Sequence, residues 1–230
     1  LAQREARLGD EGGWLGPSEV ETVLSAYRIP VAVTTPAANE DEAAEVASRI
    51  GFPVVVKLVS DAITHKSDVG GVRLDLRNEA EVRHAVSEIR AAMDRQRAPF
   101  EGVVLQSWVK DGIEIFVGAT RDPLFGPLVA FGLGGVQVEL LEDVSFRLHP
   151  LTDQDVREMI HEIRGRKLLD GFRGAPPADQ DALVDLVLRL ARLTADFPRL
   201  SELDLNPVKV FSRGEGLVVV DARIRLSRRG

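Results

Sequence analysis

Four stretches of this 230-residue sequence place side chains capable of acid, base, nucleophilic or cation-binding chemistry beside backbone that can approach a ligand. The first is "PVVVKLV" (53–59), in which Lys57 is a lone ammonium among branched apolar residues. Such a lysine either snorkels to solvent from a sheet edge or points toward an anion. A few residues on stands "THKSDVGG" (64–71). Its Gly70 and Gly71 lack a Cβ, so their N–H groups can come close to phosphate oxygens. His65 is either a solvated loop residue beside Lys66 or a nucleophile with a pKa near neutrality that can accept a phosphoryl group at nitrogen. The third stretch is "DLNPVKVFSRGEGLVVVDARI" (204–224). A turn within "SRGEG" brings Asn206 and Asp221 opposite, or nearly opposite, each other across two antiparallel strands. An amide oxygen and a carboxylate there suit Mg²⁺ with phosphates completing its shell; the bland alternative is a solvated acidic edge shared with Glu202 and Asp204. In the fourth, "QSWVKDGIE" (106–114), Gln106 ends a strand, Val109 follows, and Glu114 enters the next strand. That connection can lay backbone along a flat heterocycle and a carboxylate on a ribose.

Other residues of the same types have plainer settings. His84, His149 and His161 lack a comparable loop, and His84 falls on the polar side of a helix. The glycines of "FGLGGVQVE" (131–139) precede a strand and not a helix, so the stretch is a flexible backbone loop and not a dinucleotide fingerprint.

The elements that must position these groups follow from periodicity and caps. Ser18 with Glu21 reads as a capping box for a first helix carrying Val20, Val23, Leu24 and Tyr27 inward. A short extended piece leads to a helix from Asn39 to Ile50 that Gly51 stops. A buried strand around Lys57 and an alternating strand "GVRLDL" flank the glycine loop, and a helix runs from Asn78 to Met93. Strands "GVVLQSWV" and "GIEIFVGAT" are followed by a β-rich stretch, helices near 153–164 and 179–195, and the closing hairpin. The pattern is α+β in two lobes, 28–106 and a second built from 1–27 with 107–230. The first helix could pack with either.

Composition narrows the partners. Net charge is −7, and no cluster of Lys and Arg is dense enough to track a phosphate backbone, which argues against nucleic acid. The chain has no cysteine, so disulfides, thiolate metal sites and a cysteine nucleophile are excluded. No apolar run approaches the ~20 residues of a membrane span, and the charged start "LAQREARLGDEGG" is no secretory signal. We therefore expect a cytoplasmic protein without a membrane partner. A first residue of Leu suggests that the natural polypeptide extends upstream.

Taken in order, a strand lysine, a glycine loop, a hinge with a carboxylate, and an Asn and Asp on a terminal hairpin resemble the nucleotide contacts of the ATP-grasp fold. More narrowly, "HKSDVGGV", "TRDPLFGPLVAFGLGG", "DVSFRLHPLT", "GFRGAPPAD" and "ELDLNP…VVVDARI" resemble the β subunit or β-like domain of ADP-forming acyl-CoA synthetases, over Gly16 to Ile224. The resemblance implies two α/β lobes with the nucleotide between them and the reaction acyl-CoA + ADP + phosphate ⇌ acid + CoA + ATP. It implies that Lys57 and the loop with Ser67, Gly70 and Gly71 hold phosphates, that Gln106 and Val109 hold the adenine edge, and that Glu114 meets the ribose. It further implies Mg²⁺ on Asn206 and Asp221, and phosphoryl transfer through His65 between a partner and ADP or ATP. That partner would be an α-type, CoA-binding subunit or a fused upstream domain, since no such unit occurs in this sequence. The alternative is a nucleotide-sensing regulatory domain of a fused acetyltransferase. A carboxylate–amine ligase of the same fold gives no reason for a histidine in the phosphate loop.

Overall fold

The structure, a computed structural model, describes residues 12–60, 69–135 and 143–227. The chain divides into two compact units, one of residues 32–110 and one formed by the residues before and after it.

The smaller unit is a four-stranded sheet and two helices. Strands β2 (Thr35–Ala37), β3 (Val54–Leu58), β4 (Val72–Leu76) and β5 (Val103–Ser107) lie in the order β2-β5-β3-β4, all neighbours antiparallel. Helix α2 (Glu40–Ile50) begins at Asn39, whose side chain accepts from Glu42 N–H at 3.0 Å, and stops at Gly51, where φ is +92°. Helix α3 (Glu79–Gln96) begins in the same way at Asn78. Caps of this kind are worth about 1 kcal/mol each. Strand alternation sorts the side chains. Val54, Val56 and Leu58 of β3, with Val103 and Leu105 of β5, pack against Val82, Val86, Ile89 and Met93 of α3, each of these worth roughly 1.5–3 kcal/mol of apolar burial. Val55, Lys57, Val104 and Gln106 therefore share the opposite face, with Val55 beside Gln106 and Lys57 beside Val104.

In the larger unit a seven-stranded sheet runs β1 (Gly13–Trp14), β11 (Ala222–Leu226), β9 (Leu200–Val210), β6 (Ile113–Asp122), β7 (Gly126–Leu133), β8 (Val144–Leu148), with β10 (Leu217–Val219) also on β9. Helices α1 (Pro17–Ala26), α4 (Asp153–Glu162) and α6 (Gln180–Asp196) cover one face. There Ile115, Val117, Phe131, Leu190, Leu203 and Leu205 form the core. The first helix packs on β11 in this unit.

Three local features differ from the sequence expectation. Helix α1 starts at Pro17, not after Ser18: Gly16 donates its N–H to the Glu19 carboxylate at 2.8 Å, so Glu19 and not Glu21 is the capping acid. Proline at the first helical position fixes that frame. A four-residue helix, α5 (Arg166–Leu169), stands within the expected loop, and the two-residue β1 pairs with β11 from the far end of the sequence.

The turn of the closing hairpin lies where "SRGEG" placed it, and Asp179 secures it. Asp179 caps α6 through Ala182 N–H at 3.2 Å and accepts Gly214 N–H and Gly216 N–H at 2.9 Å each. Burial pushes its carboxyl up, but these backbone bonds together hold it below the usual aspartate range. Among the described residues no helix is long and apolar enough to cross a membrane.

Candidate functional site

In the smaller unit the side of the sheet away from the helices carries Lys57 and Gln106. Lys57 stands opposite Val104 on one neighbouring strand and Val72 on the other. Gln106 is 1% exposed, and neither atom of its side-chain amide has a hydrogen-bond partner among the described residues. A buried amide left so costs about 1–3 kcal/mol per unsatisfied group, a cost that a polar group reaching it would relieve. Just past β5, Trp108 N–H bonds Pro53 carbonyl at 3.0 Å and fixes the start of the connection that carries Val109. Gly71 accepts from Leu58 N–H at 2.7 Å, which returns the glycine loop to β3. Gly70 has φ +69°, and its carbonyl accepts from the Arg73 guanidinium, which also pairs with Glu88 of α3 at 3.1 Å. His65 and Ser67 lie outside the described residues. His84 is exposed, as expected, and lies 3.4 Å from Glu88.

In the larger unit Glu114 of β6 and Lys209 of β9 are cross-strand partners, 3.0 Å apart. Lys209 is a residue that sequence reading passed over, although "PVKVF" has the same look as the Lys57 strand: one ammonium between apolar neighbours. The pair lines a recess of about 420 Å³ whose other walls include Gly134, Gly135 and Leu168. The glycines lie close against Glu114. Gly134 N–H bonds the Glu114 carbonyl at 2.7 Å, and a Cβ on Gly135 would meet Glu114 Oε2 at 2.6 Å. A half-exposed carboxylate on a rigid strand, with backbone and apolar walls around it, can accept hydroxyl hydrogen bonds from a polar ring substituent.

The terminal hairpin brings together the next pair. Asn206 N–H bonds the Asp221 carbonyl at 3.1 Å, so the two residues stand opposite each other, Asn206 on β9 and Asp221 just before β11. The next residues along the same side are Asp204 and, opposite it, Arg223. Burial pushes the Asp204 carboxyl up to about 6; Arg223 opposes the rise, while Asp221 and Glu202 add to it. One Asp204 oxygen is buried without a hydrogen-bond partner among the described residues. Among those residues no cluster of three or more His, Cys, Asp or Glu is arranged to hold a metal ion. The arrangement fits instead a hard cation that takes only an amide oxygen and a carboxylate from the protein and completes its shell elsewhere. Sequence reading placed Asp204 on the Asn206 face but gave it no part; a carboxylate two residues before a candidate ligand was the available signal.

Comparison with known proteins gives the family. Residues 6–226 match the family model described as an ATP-grasp domain. The chain is 46% identical over 222 residues to acetate–CoA ligase [ADP-forming] I of Archaeoglobus fulgidus, covering 96% of this chain and 32% of that protein. It thus spans about a third of that relative's length. Against the acetate–CoA ligase [ADP-forming] II subunit beta of Pyrococcus furiosus the identity is 44% over 211 residues, with 90% of this chain and 89% of the subunit covered. Among solved structures, the dinucleotide-forming acetyl-coenzyme A synthetase 1 of Ca. Korarchaeum cryptofilum, in complex with coenzyme A, Ca-AMPCP and HgCl⁺, superposes with a TM-score of 0.89 at 44% identity, covering 98% of this chain and 97% of that one. A further form of it, with Mg-AMPPCP and its phosphohistidine segment pointing towards the nucleotide-binding site, gives 0.81 at 42% identity, with 98% of each chain covered. The chain belongs to the ATP-grasp domain family, alongside the beta subunits of ADP-forming acetate–CoA ligases.

Proposed function

We propose that this chain is the nucleotide-binding part of an ADP-forming acyl-CoA synthetase, working with an α-type CoA-binding subunit or a fused domain to convert acyl-CoA, ADP and phosphate to acid, CoA and ATP. The observation that carries the nucleotide reading is that Lys57 and the buried amide of Gln106, which has no hydrogen-bond partner among the described residues, share one face of one sheet. The likeness to whole beta subunits supports the acid–thiol ligase chemistry. In this reading Gln106 and Val109 receive the adenine edge, Glu114 the ribose, and Lys57 with the N–H groups of Gly70 and Gly71 the phosphates; Ser67 joins them from outside the described residues.

His65 is the phosphoryl carrier. Its imidazole nitrogen accepts the group from the partner and gives it up to a β-phosphate oxygen of ADP, so that an N–P bond breaks as an O–P bond forms. Lys57 offsets the charge that gathers on the transferring group. Asn206 and Asp221 would hold Mg²⁺, which when bound neutralises charge on adjoining phosphate oxygens. The relative's Mg-AMPPCP complex supports that choice of ion.

The test combines this chain with an α-type partner, Mg²⁺, ADP, phosphate and acetyl-CoA, and follows ATP. We expect formation with the native chain and none with His65→Ala. Equal rates from the two would remove His65 from the reaction.

A further inference from the structure

We propose that Asp143 is a positioning residue for the Glu114–Lys209 recess, acting through the short helix α5; this rests on the reading that the recess takes the nucleoside end of ADP. Asp143 is 8% exposed, and both of its oxygens are committed to one turn: Oδ1 accepts Arg164 N–H and Oδ2 accepts Gly165 N–H, each at 2.7 Å. That turn begins α5. The Gly165 carbonyl in turn accepts Leu168 N–H at 3.0 Å, and Leu168 forms a wall of the recess. Gly165 also packs closely on a second wall. A Cβ at that position would lie 2.1 Å from a methyl carbon of Leu133, so any larger residue in the turn would displace that wall.

Four residues cannot sustain a helix by themselves, because nucleation costs more than one turn of hydrogen bonds returns. The place of Leu168 is therefore set from outside α5, by a carboxylate that satisfies two N–H groups with charge-assisted bonds. Asp143 does not line the recess. Its effect on a ligand passes through Leu168 and Leu133, two apolar surfaces suited to a flat ring.

The test uses the full chain with Asp143→Asn, which can accept only one of the two N–H groups, and with Leu168→Ala. Binding is measured with ADP and with pyrophosphate, which has no ring. We expect Asp143→Asn to weaken ADP by about tenfold, to leave pyrophosphate unchanged, and to add nothing once Leu168 is alanine. Amide exchange over residues 164–170 should quicken in the same variant while the rest of the larger unit keeps its protection. If Asp143→Asn fails to fold, Asp143→Glu, which keeps the charge and moves it by one methylene, takes its place with the same expectations. Equal losses for ADP and pyrophosphate, additive losses with Leu168→Ala, or unaltered exchange over 164–170 would each overturn the inference and leave the nucleotide reading intact. Failure of the native chain to bind ADP would overturn both.

Discussion

Two lysines in look-alike strands, Lys57 in "VVVKLV" and Lys209 in "PVKVF", meet different surroundings. Lys209 faces Glu114 directly across the sheet at 3.0 Å, whereas Lys57 faces Val104 and Val72. The larger unit matches another charge within the fold: Asp179 takes three backbone N–H groups. The cross-strand neighbour, more than the residue's own strand, decides whether a lysine finds a carboxylate directly across the sheet.

The largest effect that bears on this contrast is expected at Asp179. Alanine there should cost roughly 3 kcal/mol of stability, from one lost cap and orphaned glycine N–H groups, while ADP affinity of the folded protein stays the same. Denaturant unfolding with a parallel binding titration measures both; a loss of affinity at unchanged stability would break the contrast. Next comes Lys57→Met. With a phosphate-binding ammonium removed, ADP should bind about 10- to 100-fold more weakly. A melting temperature several degrees lower with intact ADP binding would make Lys57 structural.

Lys209→Met should be milder. Glu114 keeps 41% side-chain exposure, so solvent can take over its charge, and stability should change by less than about 1 kcal/mol. The smallest effect is the pH dependence at Asp179. Its carboxyl is depressed in the fold, so the stabilisation is fully present above the unfolded value near 3.9 and is lost as pH falls through the lower folded value. Melting temperatures from pH 7 to 3 should therefore fall more steeply for the native chain than for Asp179→Asn. Parallel curves would show that the three N–H bonds do not hold the carboxyl down.

Much of this was legible in local sequence. Asn39, Asn78 and Gly51 mark helix ends through bonds made within four residues, and the apolar run around Lys57 declares a strand. The opposition of Asn206 and Asp221 followed from one turn and the two-residue period of strands. Features tied by distant partners were not legible. Helix α5 depends on Asp143 from another part of the chain, β1 on β11, and the Lys209 pairing on a strand nearly a hundred residues away. The start of α1 was misplaced for a different reason. Two overlapping Ser/Gly–Glu patterns compete there, and Pro17 selects the earlier one.

The close approach of Gly135 to Glu114 has a consequence for how relatives of this chain can vary. A side chain at 135 would collide with Glu114 Oε2, and φ of +68° there already disfavours anything but glycine. The contact falls on the far end of a flexible, partly exposed side chain that can swing aside, so the positive φ is the stricter constraint, and a family member with another residue at 135 would be expected to reshape this turn and move the Glu114 carboxylate.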